Sequence, residues 1–221
     1  MERHFDEELK VLKERILYMG SLIESMIHHA IKALVERNGN LLKEVFAHED
    51  EVNKLHVEVD NICLKLLALR QPTAVDLRFI TAAMKINSDL ERMGDQAINI
   101  SQNTEDLLKQ PLLKPLIDLP MMAEIAKKMV KDSLDAFIRK ESDLARSVLT
   151  RDDEVDSLKD KIFRELLTYM ISDPKNIERS LDLILISRHL ERIADHATNI
   201  AEDVIFMVVG KDIRHHIENN K

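Results

Sequence analysis

From the start of the chain, Phe5, Leu9, Leu12, Ile16, Met19, Ile23, Met26, Ala30 and Ala33 recur at alternating steps of four and three. That spacing holds one apolar seam on one side of an α-helix, and at ~1.5 Å per residue it predicts a rod of roughly 50 Å. The seam stops at Asn38-Gly39-Asn40, where Gly39 suits a left-handed helix end and Asn40 can cap the next helix. A second rod carries Val52, Leu55, Val59, Ile62, Leu66 and Leu69 inward and ends before Pro72. A third, from about Thr73 to Leu108, turns Leu77, Ile80, Leu90, Met93, Ala97, Ile100 and Leu107 inward.

Pro111, Pro115 and Pro120 then fall close together, and proline both removes a helical donor and restricts the residue before it. Residues 111–120 therefore read as a linker between a first unit, 1–110, and a second, 121–221. The second unit repeats the first. Ala33-Leu34-Val35 matches Ala136-Phe137-Ile138, Asp50-Glu51-Val52-Asn53 matches Asp153-Glu154-Val155-Asp156, and Pro72 matches Pro174. The expected fold is all-α: two tandem antiparallel three-helix bundles, six long helices in all, because short turns force antiparallel neighbours.

Composition agrees. The 221 residues are 45% hydrophobic, 33% charged and 4% aromatic, with no Trp and only four Gly, too few turn formers and aromatics for a mainly β fold. The net charge of -8 comes with no basic tail or stripe, which argues against nucleic-acid binding. Cys63, the single cysteine, reads as a small buried hydrophobe among Ile62, Leu64 and Leu66 in a reducing compartment. The acidic start is unlike a signal peptide and no apolar run reaches membrane-spanning length, so a cytoplasmic location is expected.

The strongest internal match is Leu90-Glu91-Arg92 through Asn99-Ile100 against Leu190-Glu191-Arg192 through Asn199-Ile200. A packing seam needs the shared Leu, Ala and Ile. It has no need of the shared Glu, Arg, Asp and Asn. Glu91 and Asp95 stand one helical turn apart on one face, as do Glu191 and Asp195. One helix earlier the same spacing occurs at Glu49 and Asn53, and at Asp152 and Asp156. If each hairpin turns near Pro72 or Asp173, Glu49 comes level with Asp95 and Asn53 with Glu91, while Asp152 comes level with Asp195 and Asp156 with Glu191.

Carboxylates converging in this way need protons, arginines or metal ions to neutralise them. Arg92, Arg188 and Arg192 are the arginines at hand, and a solvated charged face is the bland alternative. Oxygen donors favour hard cations such as magnesium, calcium, manganese or oxidised iron, and His196 adds a candidate nitrogen that extends the choice to zinc. His28-His29 and His215-His216 read as surface or tail histidines, since adjacent helical residues diverge by about 100°. His48 reads as a satisfied core histidine. No phosphate-cradling glycine loop, nucleophile elbow, His-Glu-x-x-His or Glu-x-x-His motif occurs, so no catalytic residue is assigned and an enzyme is not expected.

The doubled Leu-Glu-Arg-x-x-Asp-x-Ala-x-Asn-Ile motif, with Pro72-Thr73-Ala74-Val75-Asp76-Leu77-Arg78 opening the third helix, resembles the PhoU family of phosphate-signalling proteins over nearly the whole chain. The resemblance implies a cytoplasmic, frequently homodimeric protein that attaches peripherally to the inner membrane through protein partners. Those partners are the ATPase-bearing phosphate ABC transporter and a membrane sensor histidine kinase. The implied role is negative regulation of phosphate uptake and of phosphate-starvation signalling. It also implies multinuclear iron or other metal clusters held by Glu91, Asp95, Glu191, Asp195, Asp152 and Asp156, with Glu49 and Asn53 in the remaining slots. Asn53 replaces a carboxylate with an amide, so fewer or weaker ions are expected in the first copy. The alternatives are a carboxylate-bridged metalloenzyme and a metal-free structural adaptor.

Overall fold

The computed structural model describes residues 2–211. The first unit is built from α1 (Glu2–Glu36), α2 (Leu42–Arg70) and α3 (Ala74–Leu108), which pack mutually. The second is built from α4 (Asp118–Arg139), the pair α5 (Ser142–Leu149) and α6 (Asp152–Ser172), and α7 (Ile177–Val209). The architecture is the expected pair of three-helix bundles, with the fifth rod interrupted at Thr150 and Arg151. Short 3₁₀ turns at Gly39–Leu41 and Pro174–Asn176 lead into α2 and α7. Pro120 lies in the first turn of α4, where a helix has no use for the missing amide.

The repeat extends to the backbone. α1 and α4 both end on a left-handed residue, Arg37 at φ 53° and Lys140 at φ 57°. In both the next amide turns back, Asn38 N donating to Ala33 O and Glu141 N to Ala136 O, each at 3.0 Å. The left-handed residue is therefore Arg37 and not Gly39. Asn38, not Asn40, supplies the cap, its Oδ1 accepting from Asn40 N at 3.2 Å. A non-glycine residue pays for this conformation, and Arg37 offsets the cost by donating from Nη2 to Leu108 O at 3.0 Å and Gln110 O at 2.6 Å.

The core of the first bundle follows the predicted α1 seam: Leu12, Ile16, Met19, Ile23 and Met26 are fully buried. Two predicted core positions are exposed instead, Leu69 and Leu77, both beside the α2–α3 turn. The inward position one turn after Leu66 is Arg70, which forms a two-pronged pair with Glu8 of α1 at 2.8 and 2.9 Å. On α3 the buried face runs through Phe79, Ile80 and Ala83, leaving Leu77 outside it. Cys63 is buried, and burial pushes its thiol up to about 12, so it is inert at neutral pH. Leu64 beside it faces solvent.

Several contacts join the bundles. α1 meets α4, where Gly20 lets the helices close: a Cβ there would lie 2.2 Å from Leu134 Cδ1. Nearby, Phe79 of α3 stacks on Phe137 of α4 with ring centroids 4.7 Å apart. The larger contact is α3 against α7, and its polar ladder shows the two helices to be antiparallel. Arg78 donates to Met207 O (3.2 Å), Lys85 to Asp203 (2.8 Å), Asp89 meets His196 (2.9 Å) and Gln96 meets His189 (2.8 Å).

Candidate functional site: two facing carboxylate sets

The turn at Asp173, whose Oδ1 accepts from Lys175 N at 3.0 Å, sends α7 back along α6. That reversal brings together the four carboxylates of the second copy. Asp152 sits in the first turn of α6, where a helix N-terminus ordinarily favours a charged carboxylate. Its pKa is nevertheless pushed up to about 6, by burial first and then by Asp195, Asp156, Asp153 and Glu191. Asp195 on α7 is also raised, by burial and by the fields of Glu191 and Asp156, with His196 and Lys159 opposing. Burial, with mutual repulsion added, thus outweighs the helix terminus.

A side chain outside the motifs completes this set. Lys159 Nζ lies 2.7 Å from Asp156 Oδ1 and 2.9 Å from Glu191 Oε1, tying α6 to α7, and these bonds raise its own pKa. The signal was present in the sequence, since Lys159 stands three residues beyond Asp156 on the same face. Arg92, Arg188 and Arg192, the arginines close enough in sequence to pair with the stripes, form no ion pair with either set among the described residues.

The first copy is open by comparison. Glu49 of α2 is raised by burial first, then by the field of Asp95 on α3, with Asp50 adding a smaller effect. Glu91, one turn before Asp95 on α3, is half-buried, and Asn53 is exposed on α2. Among the described residues Glu49, Glu91 and Asp95 form no ion pair.

The histidines divide differently from expectation. His196, the candidate nitrogen donor, is turned into the seam between bundles, where its Nδ1 meets Asp89. The reason is that α7 packs on α3 over this stretch, so the position after Asp195 faces the other bundle. His48 is half-buried, but its Nδ1 is buried with no hydrogen-bond partner, so it is not the satisfied histidine expected. His28 is exposed, whereas the half-buried His29 bonds to Ser25 O at 2.8 Å and lies 3.1 Å from Glu44. His215 and His216 lie outside the described residues.

Among the described residues no three His, Cys, Asp or Glu side chains converge tightly enough to enclose a single ion. The donor chemistry still fits a hard cation: the donors are oxygens, and burial first and neighbouring carboxylates second raise Asp152, Asp195 and Glu49.

These features define a class: a duplicated helical-bundle protein whose two copies each present a facing carboxylate set. The chain belongs to the PhoU family, whose PhoU domain model matches residues 16–104 and again 119–204. It is 43% identical over 209 residues to the phosphate-specific transport system accessory protein PhoU homolog of Aquifex aeolicus, covering 95% of each chain. The Pseudomonas aeruginosa homolog of the same description is 37% identical over 230 residues, covering 100% of this chain and 95% of the relative. Among solved structures, PhoU from Pseudomonas aeruginosa superposes with a TM-score of 0.90 at 38% identity, covering 94% of this chain and 100% of that one. The phosphate transport system regulatory protein PhoU from Streptococcus pneumoniae gives 0.87 at 28% identity, with 95% and 99% covered. These relatives are described as transport accessory or regulatory proteins. No helix among the described residues is long and apolar enough to cross a membrane.

Proposed function

We propose that this chain is a cytoplasmic negative regulator of phosphate uptake and of phosphate-starvation signalling. In this reading it contacts the ATPase subunit of the phosphate ABC transporter and a membrane sensor histidine kinase, and it works as a homodimer. The observation that carries the reading is the full-length similarity to phosphate-specific transport accessory proteins. The absence of nucleophile and cofactor motifs from the sequence accords with a binding role.

The two carboxylate sets are metal sites in this reading. Asp152, Asp156, Glu191 and Asp195 hold ions in the second copy, and Glu49, Glu91 and Asp95 with the amide oxygen of Asn53 in the first. Iron is the principal candidate, with manganese, magnesium, calcium and zinc as alternatives. A bound cation would supply the countercharge that these undercompensated faces lack, so that an anionic partner surface can approach them. The carboxylates orient the ions, and the rigid α2–α3 and α6–α7 hairpins set their spacing.

The test is genetic and biochemical together. Deletion of the gene is expected to derepress phosphate-starvation genes at high phosphate, and purified protein is expected to retain the transporter ATPase or the kinase's cytoplasmic part in a binding assay. Unchanged expression together with no binding to either partner would overturn the regulatory reading.

A further inference from the structure

We propose that Lys159 is a tethered counter-cation of the second carboxylate set, which a metal ion must displace, so that the first set fills before the second. The inference rests on the metal-binding reading above, adds to it an order of loading and the residue that imposes it, and reverses the expectation of weaker ions in the first copy that Asn53 alone suggests.

The geometry is specific. The Lys159 ammonium bridges Asp156 on its own helix and Glu191 on α7, touching two of the four carboxylates at 2.7 and 2.9 Å. It is 29% exposed and Glu191 23%, so solvent and salt screen the Glu191 contact less than a surface pair, whereas Asp156 is 53% exposed. A cation already occupies this part of the set.

The duplicated copy supplies the control. Matching Asp153-Glu154-Val155-Asp156 to Asp50-Glu51-Val52-Asn53 sets Asp156 opposite Asn53 and Lys159 opposite His56. His56 does not enter the first set: its Nδ1 faces Asn87 O at 3.4 Å and its Nε2 lies 3.8 Å from Asp60. The two differences cancel in charge. The second copy has one more carboxylate, Asp156, and one ammonium bonded to it; the first has an amide and no ammonium. Both sets carry the same net negative charge, but only the second must release a cation before all its oxygens are free.

There is room for the release. A cleft of about 320 Å³ lies beside Lys159 between α6 and α7, lined also by Asp160, Phe163, Ser187 and Arg188. The ammonium can swing into it toward Asp160. Breaking two charge-assisted hydrogen bonds to do so weakens apparent metal affinity, on the order of tenfold or more.

Calorimetric titration with Mn²⁺ tests this. In a background carrying Glu91→Gln and Asp95→Asn, only the second set remains. There Lys159→Met is expected to tighten Mn²⁺ at least about tenfold, and Lys159→Arg, which keeps the charge, is expected not to. Circular dichroism checks folding, and Lys159→Gln serves if the Met variant is unfolded. In otherwise unsubstituted protein, Glu91→Gln with Asp95→Asn should remove the tighter binding event, and Asp152→Asn with Asp195→Asn the weaker. Unchanged second-set affinity in the folded, lysine-free protein overturns the inference while leaving the metal sites standing, as does the reverse order of loading. No Mn²⁺ bound by any form overturns the metal reading and the inference with it.

Discussion

His196 Nδ1 on α7 lies 2.9 Å from Asp89 Oδ1 on α3, with side-chain exposures of 16% and 12%, so a charged group of one bundle is satisfied by a ring of the other. The contact assigns His196 to the seam and not to the adjoining carboxylate set. Substituting it strands a buried carboxylate. His196→Ala is expected to cost about 1–3 kcal/mol in chemical denaturation, while Mn²⁺ bound per chain stays at the wild-type value.

His189 makes the seam sensitive to acid. Burial lowers its pKa, and Arg192 and Arg188 lower it further, while its Nδ1 meets Gln96 Oε1 at 2.8 Å. The folded state therefore prefers the neutral ring, and the unfolded chain takes up the proton first. Stability is complete above the unfolded value near 6.5 and erodes as pH falls below it toward the folded value. Urea unfolding at pH 7.5 and 5.5 is expected to show a smaller acid loss in His189→Gln than in wild type.

Asp152 works in the opposite direction. Its carboxyl rises from an ordinary 3.8 to about 6, so the folded state prefers it protonated and its ionisation is destabilising at neutral pH. A shift of this size corresponds to about 3 kcal/mol at most, which partial solvent screening reduces to about 1–2 kcal/mol. In chelator-treated protein Asp152→Asn is expected to be more stable than wild type above pH 6. The gain should fade between pH 6 and 4. With Mn²⁺ present the same substitution is expected to cost stability, because a ligand is lost. Thermal melts across pH, with and without Mn²⁺, check both signs.

Much of this was legible because the governing interactions are local or periodic. The three-four seams of α1 place Ile16, Met19 and Ile23 in the core, and the repeat alone implies two bundles. The levels of Glu49 with Asp95 and of Asp152 with Asp195 follow from where each hairpin turns. The misses sit where that logic stops. Leu69 and Leu77 continue an arithmetic pattern up to either side of the α2–α3 turn, but the inward position at the end of α2 belongs to Arg70, paired with Glu8 on a helix about sixty residues away. Arg37 takes the left-handed end because carbonyls of α3 and of the residues following it reward its guanidinium, a partner that no local rule names. The interruption at Thr150 and Arg151 goes with an ion pair from Arg151 to Asp132 on α4. His196 and Asp89 meet only because the bundles dock, and the docking of two bundles leaves no periodic trace in either.

The central claim is that the facing carboxylates of each hairpin hold metal ions. Elemental analysis of protein purified without chelator measures it most directly, set beside a folded variant with Glu49, Glu91, Asp95, Asp152, Asp156, Glu191 and Asp195 replaced by their amides. The account predicts bound metal in the wild type and none in the variant. Metal-free wild-type protein whose melting temperature does not change on adding iron or Mn²⁺ would contradict it.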